Sequence, residues 1–270
     1  GAIYRELYHP MLQRYGARVQ LIDPRIDLKN NPQKINSHFD LIFILTPAEA
    51  HAECLAKCID MNLSWGSMLI EKPAFTSTSE FLDASYATDL SNIYTATPHR
   101  VSHCTRILHH YRHNIAEVAI KYGVLNKWRS SVSGRKELDA VLYDWGPHFL
   151  DALIWGLAEE NDSIALGSVR ELTFDSLACS LKVGKTSVDL RLSTSSYEPN
   201  ICNVKFRNGN QYIISLTRNT GLYGFPPVEL PTLSSTTVDN EIRRLLHKKR
   251  SEWFSPIREF LPVIQLIEEF

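Results

Sequence analysis

The sequence predicts an α/β half followed by an α+β half: a parallel sheet with helices on its faces, then a mainly antiparallel open sheet. Three observations carry this. Up to about residue 97, apolar runs of strand length alternate with segments of helical period, the pattern of parallel strands joined by crossovers. One of those runs, Met68-Leu69-Ile70, stops at Glu71-Lys72-Pro73, where a residue without an amide proton forbids continuation of the strand. Past Leu157 the chain becomes short alternating segments separated by turn signals, the mark of an antiparallel meander.

Taken in order, Ile3, Leu7, Met11 and Leu12 recur at helical spacing up to Gly16, and the β-like run Arg18 to Ile22 follows and ends at Asp23. Phe39 to Leu45 reads as a buried strand and Ala48 to Met61 as a helix opened by Pro47 and Glu49. After the strand ending at Ile70, Thr76 to Glu80 supplies N-caps for a helix running to about Thr88, and Asn92 to Ala96 is a further strand. Beyond Pro98 come a helix over Ser102 to His113, a β-like run from Ala116 to Trp128, a polar loop from Arg129 to Lys136, and a helix within Leu142 to Leu157. Asn208-Gly209 is a hairpin signal, since both types tolerate positive φ. A long amphipathic pattern from Glu241 to Glu269, broken at Pro256 and Pro262, closes the chain.

Composition excludes several functions. A net charge of -1 from 29 basic and 30 acidic residues gives no electrostatic case for nucleic acid or an anionic membrane. No apolar stretch approaches the roughly 20 residues that span a bilayer. Five cysteines, Cys54, Cys58, Cys104, Cys179 and Cys202, without dense spacing suit free thiols and a cytoplasmic location.

Lys72 is the first candidate for chemistry. Pro73 disfavours helix at Lys72, which is therefore extended at the carboxyl end of its strand, the edge that faces the ligand crevice in an open α/β sheet. A lysine closing an edge strand is the plainer reading. The second motif is Asp144-Trp145-Gly146-Pro147-His148, with Asp144 as N-cap and Pro147 in the first helical turn. Four residues apart on a helix, Asp144 and His148 are neighbours, and the carboxylate favours a protonated imidazole. The alternative is a capping aspartate beside a buried histidine.

The ordered set Thr46-Pro47 with His51, then Glu71-Lys72-Pro73, then Asp144, Gly146, His148, Asp151 and Gly156 resembles the Gfo/Idh/MocA oxidoreductase family. The resemblance spans nearly the whole chain. It implies a Rossmann-type dinucleotide-binding domain over 1–97, with its first strand missing, and a substrate and oligomerisation domain over 98–270. It also implies hydride transfer between a nicotinamide and a carbon bearing oxygen in a sugar, cyclitol or related small molecule. In that reading His148 is the general base, Lys72 steadies the reacting oxygen, and Asp144 positions the substrate or tunes the base. Gly1, Ala2 and Ile3 match the second half of the family's glycine-rich turn, with Tyr4 in place of its last small residue. Asp23, 22 residues after Gly1, stands where a carboxylate takes the adenine ribose hydroxyls, which favours NAD; Arg25 keeps NADP open. Thr46, Pro47, His51 and Glu71 complete the implied cofactor set, and Arg100 is a substrate contact or a solvated arginine at a helix start. A homodimer or homotetramer is expected, to cover the open sheet. Reduction of an imine or keto group, and non-catalytic nucleotide binding, are the alternatives.

Two clusters resemble metal sites only superficially. His51, Cys54 and Cys58 share a helical face, and His99, His103, His109, His110 and His113 crowd one helix. Small buried thiols explain the first, and no carboxylate completes the second, so no metal is expected.

Overall fold

The structure, a computed structural model, describes residues 4–22, 36–97, 100, 102–123, 140–196, 199–216, 222–223, 238–247 and 254–270. The expectations placed on Gly1, Ala2, Ile3, Asp23, Arg25, His99 and the loop 129–136 lie outside these residues.

The first sheet has the order β1-β2-β3-β11, from β1 (His38–Ile44), β2 (Ser64–Ile70), β3 (Ile93–Thr95) and β11 (Ser255–Pro256). The first three are parallel, with Ile44 opposite Ile70 and Ile70 opposite Thr95, and β11 is antiparallel to β3. Crossovers are made by α2 (His51–Asp60), after a short 3-10 turn, and by α3 (Thr78–Ala87), whose first turn is capped by Ser77 accepting from the Glu80 amide. Alternation along β2 shows why the sheet needs cover on both faces. Met68 and Ile70 join a core cluster with Leu55 and Phe81, whereas Leu69 joins Tyr8, Met11, Leu12, Ile242 and Leu245 on the other side. All three β2 residues are fully buried, each contributing about 1.5–3 kcal/mol. The second face is covered by α1 (His9–Arg14), entered through a π-helical turn over Tyr4–Tyr8, and by α7 (Val238–Leu246).

The second sheet has the order β10-β9-β8-β4-β7-β6-β5. Its strands are β4 (Ile115–Gly123), β5 (Ile164–Leu172), β6 (Ser176–Val183), β7 (Thr186–Ser193), β8 (Ile201–Phe206), β9 (Gln211–Ser215) and β10 (Leu222–Tyr223). It is antiparallel except where β4 and β7 run parallel. The expected hairpin joins β8 to β9, with the positive φ of +90° falling on Gly209. Helices α4 (His103–Tyr111), α5 (Ala140–Asp144) and α6 (Gly146–Leu157) precede the meander. Gly156 lets α6 approach α4 closely, since a β-carbon there would sit 3.2 Å from Leu108 Cβ and 3.3 Å from the Thr105 carbonyl.

Two expectations are corrected. Residues 17–22 form no strand; among the described residues β1 pairs only with β2, so the run has no ladder to join, and Leu21 is 64% exposed. The end of the chain, expected in the second part, returns to the first sheet. There β11 pairs with β3, and α8 (Leu261–Glu269) packs against α3 as well as α6. All five cysteines are free. No helix among the described residues is long and apolar enough to cross a membrane.

Candidate functional site

The carboxyl ends of β1 and β2 lie side by side because the strands are parallel and in register. Each end is followed by a proline, Pro47 and Pro73, so the chains leave the sheet there and expose the edge. Thr46, Glu71 and Lys72 are half-buried at this edge and Pro47 is exposed. The Lys72–Pro73 peptide is cis.

Lys72 does not point into solvent. Its Nζ donates to the Asp144 carbonyl oxygen at 2.5 Å and to Asp144 Oδ1 at 2.6 Å, with the two side chains 14% and 35% exposed. Asp144 thus differs from the N-cap expected of it. It is the last residue of α5, and Trp145 stands at the N-cap of α6 without a side-chain capping bond. The carboxylate meets an ammonium, so both partners of the bond are charged, whereas a cap would pair it with neutral amides. His148 follows in the first turn of α6, its ring 6.2 Å from that of Trp145.

Glu71 is held on the neighbouring side. Tyr8 Oη donates to its Oε1 at 3.1 Å and the Lys72 amide to its Oε2 at 3.3 Å. Burial raises the Glu71 carboxyl above its ordinary range, against the pull of the Lys72 charge and of these bonds. Burial also raises the Tyr8 phenol well above its usual value, and the adjacent Glu71 charge adds to this.

Thr46 offers a hydroxyl at the same edge, 3.7 Å from Cys54 Sγ. His51 is 1% exposed, with Nδ1 2.9 Å from the Pro73 carbonyl and Nε2 2.8 Å from the Thr46 carbonyl. Its polar atoms face the backbone, which is not the open position expected of a cofactor contact.

Arg100 is likewise turned inward. It is 5% exposed, and its Nε and Nη2 each donate to Asp151 at 2.8 Å while Nη1 donates to Glu259 at 2.6 Å. Ser255 Oγ reaches both Asp151 oxygens at 2.8 Å and stands 2.6 Å from Thr97 Oγ1. This is an internal network joining the end of β3, α6 and the C-terminal segment, in place of the expected substrate contact. Sequence reasoning also missed Tyr8, Tyr122 and Trp145. Tyr122, at the end of β4, packs its ring 5.1 Å from Trp145 and 4.8 Å from Phe149. The buried Trp145 Nε1–H has no acceptor among the described residues. Of these residues, Trp145 and Asp151 carried a signal, as part of the motif around His148. Among the described residues no group of three or more His, Cys, Asp or Glu could hold a metal ion.

The residues described fit a nicotinamide dinucleotide in chemistry. A hydroxyl on Thr46 and a carboxylate on Glu71, still partly exposed at the carboxyl edge of a parallel sheet, are groups that take ribose hydroxyls.

No family model matches the chain, and no curated protein matches it. Solved structures do share its fold. An oxidoreductase from Thermotoga maritima is similar over 99% of this chain and 92% of its own, with a TM-score of 0.66 and 14% identity. A dehydrogenase from Clostridium difficile covers 100% of this chain and 95% of its own, with a TM-score of 0.63 and 13% identity. The WlbA dehydrogenase from Thermus thermophilus, in complex with NAD and UDP-GlcNAcA, covers 97% and 82%, with a TM-score of 0.60 and 15% identity. At these identities the likeness is one of fold: the chain has the two-sheet architecture of these dehydrogenases.

Proposed function

We propose that this chain is an NAD(P)-linked oxidoreductase acting on an oxygen-bearing carbon of a sugar, cyclitol or related small molecule. The observation that carries the reading is the Lys72 ammonium, fixed at the carboxyl edge of a parallel sheet by Asp144, two residues before the helix that bears His148. Thr46, Pro47 and Glu71 would hold the cofactor, which supplies a hydride acceptor or donor when bound. Lys72 steadies negative charge on the substrate oxygen, and it is held by Asp144 before the reaction rather than moved into place during it. His148 takes the hydroxyl proton in oxidation and returns it in reduction. The complex of the Thermus thermophilus dehydrogenase with a sugar nucleotide supports the substrate class. The outer face of the seven-stranded sheet, bearing Lys121, Asp189 and Lys205, is where we expect a homodimer or homotetramer to form.

The test mixes the chain with NAD or NADP and a panel of sugars, cyclitols and sugar nucleotides, following reduced-nicotinamide absorbance. Lys72→Ala and His148→Ala each lower turnover about a hundredfold or more and leave cofactor affinity within about threefold. A folded Lys72→Ala chain that turns over like the wild type defeats the reading.

A further inference from the structure

The ladder between β1 and β2 makes its last rung where the Glu71 amide donates to the Ile44 carbonyl at 3.0 Å. Beyond it Pro73 has no amide proton, so the next donor from this chain, opposite the Thr46 carbonyl, is missing. His51, the first residue of α2, stands between the two segments, with one ring nitrogen 2.8 Å from the Thr46 carbonyl and the other 2.9 Å from the Pro73 carbonyl. Carbonyl oxygens only accept, so a neutral ring serves one of them through its single N–H and only a doubly protonated ring serves both. The partners belong to the segments that follow β1 and β2, and the ring bridges them where the ladder has stopped.

We propose that His51 is a positioning residue: its imidazole replaces the rung that Pro73 removes and thereby fixes the Lys72 ammonium on Asp144. The inference rests on Lys72 being the group that meets the substrate oxygen. Pro73 follows Lys72 directly, so freedom at the Pro73 carbonyl is freedom of the Lys72 backbone, and the four-carbon stem of lysine enlarges it at Nζ. Loss of a fixed position at a reacting group is costly to rate even when the group is still present. The helix itself does not depend on His51, because Leu55, 1% exposed and in the main core, anchors α2 to the sheet.

The test reads the lysine ammonium groups of the full chain by proton–nitrogen NMR at mildly acid pH, without cofactor or substrate. The Lys72 signal is assigned by its loss in Lys72→Arg. In His51→Leu the Lys72 ammonium exchanges with water at least about tenfold faster, as expected when a charge-assisted hydrogen bond is loosened. The Lys205 signal, from the ion pair with Glu117 on the other sheet, stays in place, which separates this effect from general loosening. His51→Gln, able to donate to one of the two carbonyls, restores part of the protection. A folded His51→Leu chain with an unmoved Lys72 signal overturns the proposal. If that variant does not fold, His51→Gln is read against wild type by the same criterion, a faster Lys72 supporting the proposal and an unmoved one overturning it. Neither cofactor nor substrate enters the measurement, so a wild-type chain without hydride transfer defeats the function proposed above and leaves this result standing.

Discussion

Lys72 and Asp144, 72 residues apart in sequence, meet through two bonds at once, from Nζ to the carbonyl oxygen at 2.5 Å and to Oδ1 at 2.6 Å. The contact ties the end of a sheet strand to the end of α5. It leaves the Lys72 side chain 14% exposed. Asp144→Ala keeps the backbone bond and removes the carboxylate. We expect a stability loss of about 1–2 kcal/mol by urea titration, the worth of a partly exposed charged hydrogen bond. Asp144→Asn loses less, because its amide oxygen still accepts; equal losses for the two variants would argue that packing, not the bond, is responsible.

The pair of Arg100 and Asp151 is of another kind, since its carboxylate is 1% exposed. Burial opposes the Arg100 charge, and Asp151 with Glu259 more than restores it, so the guanidinium pKa is raised. Arg100→Met therefore strands a buried carboxylate at a cost of about 3–5 kcal/mol. The double variant with Asp151→Leu recovers most of that loss in urea midpoint. A single variant within about 1 kcal/mol of wild type would show that the network is dispensable.

Glu71 sets a pH dependence whose sign follows from its raised pKa. The folded state holds the proton more tightly than the unfolded chain. Its contribution to stability is therefore fully present below the ordinary carboxyl value of 4.5 and is lost as pH rises through the folded value. Glu71→Gln keeps an acceptor for Tyr8 and cannot ionise. Unfolding midpoints taken from acid to neutral pH should show the variant gaining on wild type as pH rises. A difference that does not change with pH would remove Glu71 from the account.

Thiol chemistry follows burial. Cys104, Cys179 and Cys202 are buried, and burial pushes Cys179 up to about 12. For Cys202 the bond with the Cys104 thiol comes first and burial second. Cys58 is partly exposed but is pushed up to about 11, mainly by burial. Alkylation of the native chain at mildly basic pH, read by mass spectrometry, should mark Cys54 first and the three buried cysteines only after denaturation. Early labelling of Cys179 would contradict the packing of β6.

Much of the first sheet was legible because its signals are local. The apolar run ending at Ile70 is fully buried, and the proline after Lys72 stops it where expected. Ser77 caps α3 through the side chain that its neighbours advertised. The Gly209 turn sits where Asn208-Gly209 foretold. Residues 18–22 misled because their alternation fits a strand while a strand also needs a neighbour, and among the described residues they have none. Asp144 misled because a capping residue type was read from sequence alone, whereas the nearest strong charge, Lys72, took its carboxylate.

By itself the sequence determined most of the order of elements, the strand end that carries Lys72, and the set of polar residues able to do chemistry, since period, caps and prolines act over a few residues. Only the tertiary structure decided which of those residues meet. It brought Lys72 to Asp144, turned His51 and Arg100 inward, ran β4 parallel to β7, and returned Ser255 to Thr97 across 158 positions. Such pairings are fixed by how sheets and helices bury their apolar faces, and a single sequence records the faces without recording what they will face.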